Sequence, residues 1–246
     1  MVFIHGFLMS RAIWQDNLES LQNHVRPVVI ELPGHGKTRP PATPRNLTFE
    51  TMVMELESAR SALDIPRFYL CGHSFGAALA IAYAHTYPGC VQGVIFTNAR
   101  AALGALEPVQ DRAPLRALVN QLKDGHKSAL ELIPAHPKRM RGLSASLHKA
   151  LLDDAEYLNP ETIGNLMENA LPAADMSAKL SALRMPVLLV NGIRERGFQP
   201  ARHKLEQLAP HVKVIDIEAG HSVNAEHPEA FNAAIINFLE TQDLNP

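Results

Sequence analysis

Six short runs of apolar or β-branched residues punctuate the chain: MVFI at 1–4, VRPVVIEL at 25–32, RFYLCG at 67–72, VQGVIFTN at 91–98, PVLLVNG at 186–192 and VKVIDIEAG at 212–220. Most are apolar almost without interruption, which is the pattern of strands covered on both faces, as in a parallel sheet. The segments between them follow helical spacing. Phe49, Val53, Leu56 and Leu63 recur within 48–63, an Ala-rich stretch at 75–86 stops before Pro88 and Gly89, and 228–240 carries Phe231, Ala234, Ile235 and Phe238 along one face. Strand alternating with helix restricts the chain to the α/β class, as a doubly wound, mostly parallel sheet with right-handed crossovers.

One long stretch breaks the alternation. From 101 to 184 no strand-like run occurs, only helix-like pieces such as PLRALVNQLKD, LSASLHKALLDD and NPETIGNLMENAL, separated by Pro and Gly. The predicted organisation is therefore a core of 1–100 and 185–246, with 101–184 inserted as a helical cap over the strand ends. A chain of 246 residues with 46% hydrophobic content is long enough to bury one sizeable core. A net charge of −2 provides no general attraction to nucleic acid or an anionic membrane, so neither is expected as a partner. The basic string HPKRMRG at 136–142 reads as solvated surface and is assigned no function. Cys71 and Cys90 fit no metal or redox spacing. No run approaches the roughly 18 apolar residues of a membrane helix, and the N-terminus lacks the features of a signal peptide, so a cytoplasmic location is expected.

The strand at 67–72 runs into Gly72-His73-Ser74-Phe75-Gly76, and a helix follows at once. This is G-x-S-x-G in the strand–turn–helix setting that its chemistry requires, a turn so sharp that the residues two before and two after the serine must be small. Ser74 then projects from the carboxyl end of the sheet, where ligands bind in open α/β folds, and beside a helix N-terminus that favours developing negative charge. A serine hydroxyl needs a base. His221 follows the run at 212–218 in EAGHSVNAEHP and so reaches the same edge, whereas His73 is turned elsewhere and His203, His211 and His227 read as surface. The base in turn needs an acid to hold its tautomer. Glu195, three residues beyond Gly192 in NGIRERGF, is the candidate; Asp216 competes, but it lies within a strand.

The motifs VFIHGFLMSRAIW, ELPGHGKT, GHSFGAALA, NGIRE and AGHSVNAEHPEAF together resemble the α/β-hydrolase superfamily, in particular its small esterase-like members with a helical cap. The order Ser74, Glu195, His221 is that of the family. The resemblance implies that the backbone N–H groups of Phe7, in the H-G turn, and of Phe75 form the oxyanion hole. Three features depart from the family pattern: Glu195 and Glu31 stand where Asp is commoner, and Met1 falls inside the strand leading to His5, so that the family's usual first two strands are expected to be missing.

The function expected from these residues is that of a carboxylic ester hydrolase working through an acyl-enzyme on Ser74, with thioesters or lactones as related substrates. It requires no cofactor and no metal, and the apolar cap residues suit a small-molecule substrate with an apolar portion. The same motifs also resemble the menaquinone-pathway synthase that eliminates pyruvate from a cyclohexene carboxylate using the same triad as a base. That family places an arginine four residues after the serine, where this chain has Ala78, which leaves Arg100, Arg112 and Arg116 as candidates for holding substrate carboxylates. Hydrolysis of C–C bonds and a non-catalytic binding module are further readings. The sequence does not define an oligomeric state.

Overall fold

In the computed structural model, which describes residues 1–40, 47–104 and 109–243, each apolar run supplies one strand of a single sheet. The strands are β1 (Val2–Ile4), β2 (Val28–Ile30), β3 (Phe68–Gly72), β4 (Val91–Thr97), β5 (Val187–Gly192) and β6 (Val212–Ile217). Their order is β2-β1-β3-β4-β5-β6, and every neighbouring pair is parallel. β2 is shorter than its apolar run. Pro27, which has no N–H to give a ladder, precedes it, and the strand is a half-buried edge where such a residue is tolerated.

Alternation along the strands feeds two separate cores. Val2, Ile4, Leu70, Val94, Phe96, Val187 and Leu189 face the layer that contains helices α2 (Phe49–Ala62) and α3 (Phe75–Thr86). Phe3, Cys71, Ile95, Leu188 and Val190 face the opposite layer, with Trp14, Phe231, Ile235 and Phe238. That second layer contains α1 (Gln15–Leu21), α9 (Val223–Glu226) and α10 (Pro228–Asp243). Burying each large side chain contributes about 1.5–3 kcal/mol, so the continuous apolar character of the runs is explained by the two covered faces. From Phe75 to Ala84 every residue of α3 is buried, and its small side chains let it lie close against the sheet and α2.

Between β4 and β5 the described residues carry helices and no strand: α4 (Ala113–Lys123), α5 (Ala145–Ala155), α6 (Pro160–Asn165) and α7 (Ser177–Ala182), with shorter single turns. The two ends of this segment are tied together where the Met176 N–H donates to the Ala102 carbonyl at 2.9 Å. There Ala102, Met176 and Leu180 enter the α3 side of the core. In the middle of the segment, Leu147 and Leu151 of α5 join the other core beside Met9 and Trp14. After β5 come α8 (Gln199–Leu208), β6 and the two final helices. Among the described residues no helix is long and apolar enough to cross a membrane, and no cluster of His, Cys, Asp and Glu could hold a metal. Cys71 and Cys90 are free thiols.

Candidate active site

Ser74 stands between β3 and α3 with φ 52° and ψ −111°, a conformation costly for a residue with a side chain and kept only where its surroundings enforce it. The enforcement comes from neighbouring backbone. A Cβ on Gly72 would lie 2.5 Å from the Gly76 carbonyl oxygen, and one on Gly76 would lie 2.7 Å from the His5 carbonyl oxygen. The His73 N–H, between them, donates to the Ile4 carbonyl at 2.9 Å. These contacts lock the turn to β1 and bring Ser74 against the H-G turn, where a Cβ on Gly6 would meet the Ser74 Cβ at 3.2 Å and the His73 ring at 2.5 Å.

His221 and Glu195 meet across the ends of β6 and β5. The His221 Nδ1 lies 2.9 Å from Glu195 Oε2, a contact that directs the ring's other nitrogen away from the carboxylate. The same carboxylate oxygen accepts from Asn98 Nδ2 at 2.8 Å. Asn98, fully buried just beyond β4, also spans Gly192, accepting its N–H at 2.9 Å and donating to its carbonyl at 2.9 Å. Burial alone would raise the Glu195 carboxyl. The hydrogen bond and charge of His221, the Asn98 amide and the Arg100 charge together outweigh burial and hold it below the usual glutamate range. The His221 loop is clamped by Glu226, whose carboxylate accepts the Gly220 N–H at 2.7 Å and the Ser222 N–H at 3.2 Å, one on each side of the histidine. Asp216, the competing acid, remains on β6, held by the Asn191 amide at 2.8 Å and near Arg202 at 3.6 Å.

Phe7 and Phe75 lie side by side, their ring centroids 6.0 Å apart, and among the described residues neither backbone N–H has a protein acceptor. The loop bearing Phe7 is braced from below. Leu8, at φ 60°, donates its N–H to His35 Nε2 at 3.1 Å, while His35 Nδ1 lies 3.0 Å from the Pro33 carbonyl. This arrangement requires a neutral His35 with its proton on Nδ1. Burial, reinforced by the neighbouring His5, pushes its pKa down to about 3. His73 packs edge-on against His221 at 5.3 Å and is also held neutral by burial, far below the ordinary histidine value.

A cavity of about 710 Å³ opens over these groups, lined by Phe7, Ser74, Glu195 and His221 and also by Arg100, Arg139, Arg141 and Arg194. The structure thus brings Ser74, His221, Glu195, Phe7 and Arg100 to one cavity. Arg112, in contrast, is exposed at the start of α4 and is not part of this lining. Phe75 is buried and lies outside this lining, so only its backbone could serve a ligand. Sequence reasoning missed Asn98 and Glu226, whose signal was a polar residue directly beyond an apolar strand and an acid five residues after His221. It also assigned no function to the basic string that supplies Arg139 and Arg141. Chemically, a serine at a strained turn, an imidazole oriented by a carboxylate and two unpaired N–H groups can activate a hydroxyl and stabilise an oxyanion.

Comparison with known proteins agrees with the architecture. The family model described as alpha/beta hydrolase fold matches residues 1–228. A Bacillus subtilis (strain 168) protein provisionally named 2-succinyl-6-hydroxy-2,4-cyclohexadiene-1-carboxylate synthase is 25% identical over 247 residues, covering 97% of this chain and 89% of its own. Among solved structures, MenH from S. aureus superposes with a TM-score of 0.80 at 18% identity, covering 98% of this chain and 93% of that one. The carboxylesterase CesB (YbfK) from Bacillus subtilis does so with a TM-score of 0.76 at 20% identity, covering 97% and 82%.

Proposed function

This chain belongs to the alpha/beta hydrolase fold family, and on that premise we propose that it hydrolyses carboxylic esters through an acyl-enzyme on Ser74. His221 takes the Ser74 proton as the oxygen attacks the ester carbonyl, and Glu195, ionised below its usual range, stabilises the imidazolium that forms. The Phe7 and Phe75 N–H groups receive the negative charge that develops on the carbonyl oxygen. Collapse of the tetrahedral species expels the alcohol, which takes the proton from His221. Water, deprotonated by the same ring, then releases the acid and restores Ser74. No step calls for a metal or an organic cofactor. The segment 101–184 serves as a cap that limits water and shapes the acyl pocket.

The observation that carries this reading is the positive-φ serine that shares one cavity with a His221–Glu195 pair at 2.9 Å. Its test is a panel of p-nitrophenyl and thioester acyl chains, assayed on the wild type and on Ser74→Ala beside the menaquinone precursor. Turnover of the panel that drops by about 10⁴-fold or more in the variant is expected. Ester turnover that survives the substitution would refute the reading. A second reading, pyruvate elimination, is favoured by Arg100 on the cavity wall and by the name of the Bacillus relative. It predicts efficient turnover of the precursor with weak ester activity throughout.

A further inference from the structure

The cavity over Ser74 carries an excess of positive charge that esterase chemistry itself does not require. Four arginines, Arg100, Arg139, Arg141 and Arg194, and two carboxylates, Glu195 and Glu226, lie in its lining. Both carboxylates are already engaged, Glu195 by His221 and Asn98 and Glu226 by two backbone N–H groups and by Arg194 at 3.6 Å. Arg194 is therefore partly neutralised, and Arg100 acts on the Glu195 carboxylate through its charge without a direct contact, whereas Arg139 and Arg141 form no ion pair among the described residues. The two from the 136–142 string are oriented by neutral acceptors. Arg139 Nε and Nη2 donate to the Glu131 carbonyl at 3.4 and 3.2 Å, and Arg141 Nη1 donates to the Met140 carbonyl at 3.0 Å and the Lys138 carbonyl at 3.4 Å. Their charge is held in position without being cancelled.

The neighbouring cation behaves differently. Lys138 pairs with the Glu131 carboxylate and lies outside the cavity lining. Within one short string, the side chain that avoids the cavity is neutralised and the two that reach it are not. Arg100 joins them from a different part of the chain, just after β4, in a protein whose net charge is −2. Guanidinium groups brought from separate segments to one cavity, whose lining also includes Met9 and Met140, suit a ligand that is partly apolar and carries an oxyanion.

We propose that the substrate bears an ionised carboxylate remote from its scissile ester, bound by Arg100, Arg139 and Arg141. This rests on the ester-hydrolase reading of the same cavity, and the test separates the two. Two pairs of substrates differ chiefly in that charge: monomethyl adipate against methyl pentanoate, which places it on the acyl side, and 4-acetoxybenzoate against its methyl ester, which places it on the alcohol side. The expected result is a kcat/KM at least about tenfold higher for the charged member of one pair, as charge-assisted hydrogen bonds warrant. The preference should shrink towards unity in Arg139→Gln/Arg141→Gln and in Arg100→Gln, persist in Lys138→Gln, and weaken as ionic strength rises from about 0.02 to about 0.5 M. Hydrolysis of both members of each pair without preference for the charged one, or a preference indifferent to all three arginines, would overturn the inference and leave the hydrolase reading intact. A calorimetric titration with adipate needs no catalysis and covers the remaining case. If no ester is cleaved but adipate binds, and binds at least about tenfold more weakly to the arginine variants, the anion site stands and the hydrolase reading fails. Neither cleavage nor binding overturns both.

Discussion

Replacing His35 by Gln should remove a large part of the protein's sensitivity to mild acid. His35 is fully buried, its Nε2 accepts the Leu8 N–H, and burial together with nearby His5 pushes its pKa from 6.5 down to about 3. The unfolded chain has a histidine that takes up a proton near 6.5, so between 6.5 and about 3 it binds more protons than the native state does. Stability is therefore fully present above the unfolded value and is lost as the pH falls towards the folded one. For these two values, linkage gives a loss of about 2 kcal/mol between pH 7 and pH 5 from this group alone. Gln places an oxygen near the position of Nε2, so the Leu8 hydrogen bond has a replacement acceptor and the titrating group is gone. Urea unfolding at pH 7 and pH 5 measures the effect as a difference of differences, in which His73 and Glu195, common to both proteins, cancel. The wild type should lose about 2 kcal/mol more than the variant over that interval. Parallel losses in the two proteins would show that His35 is not the buried neutral brace of the Phe7 loop described above.

Asn98→Leu, close to isosteric, strips Gly192 and Glu195 of buried partners at roughly 1–3 kcal/mol each; a lowered urea midpoint with reduced kcat is expected, and an unchanged midpoint would count against the bridge. Gly76→Ala drives a Cβ into backbone, 2.7 Å from the His5 carbonyl, whereas a Cβ on Gly89 meets nothing within 4 Å. The first should cost more than about 3 kcal/mol or abolish folding and the second should stay within about 1; thermal melting distinguishes them, and equal melting temperatures would contradict the packing at the turn. Glu195→Gln should lower kcat by on the order of 10³–10⁴ with KM altered far less; near-normal turnover in this variant, with the loss appearing in Asp216→Asn instead, would transfer the acid to β6.

The fold was legible because each buried strand announces itself without help from the rest of the chain. Val94, Ile95 and Phe96 are apolar in succession since they feed two cores, as expected of a strand covered on both faces. Ser74 was legible for a related reason, as the demands of its turn fall on Gly72 and Gly76 within four residues of sequence. What was not legible depends on partners far away in the chain. Asn98 acts on a residue 97 positions later, and nothing in its own neighbourhood distinguishes it from an asparagine that ends a strand. Arg139 and Lys138 look alike in sequence, and only the fold turns one into the cavity and pairs the other with Glu131. The same limit applies to Arg112, whose sequence position near the end of β4 suggested a place beside Arg100 that the course of the chain into α4 does not provide.

In the proposed reaction the Oγ of Ser74 is the atom to which the acyl group becomes attached. Incubation with a fluorophosphonate, followed by proteolysis and mass mapping, reads that attachment directly, since the reagent forms a stable phosphonyl ester only with a serine activated as a nucleophile. One adduct is expected, on the peptide that carries Ser74, formed by the wild type, slowed strongly in His221→Ala and absent in a folded Ser74→Ala protein. An adduct on another residue, or labelling that persists after Ser74→Ala, would contradict it.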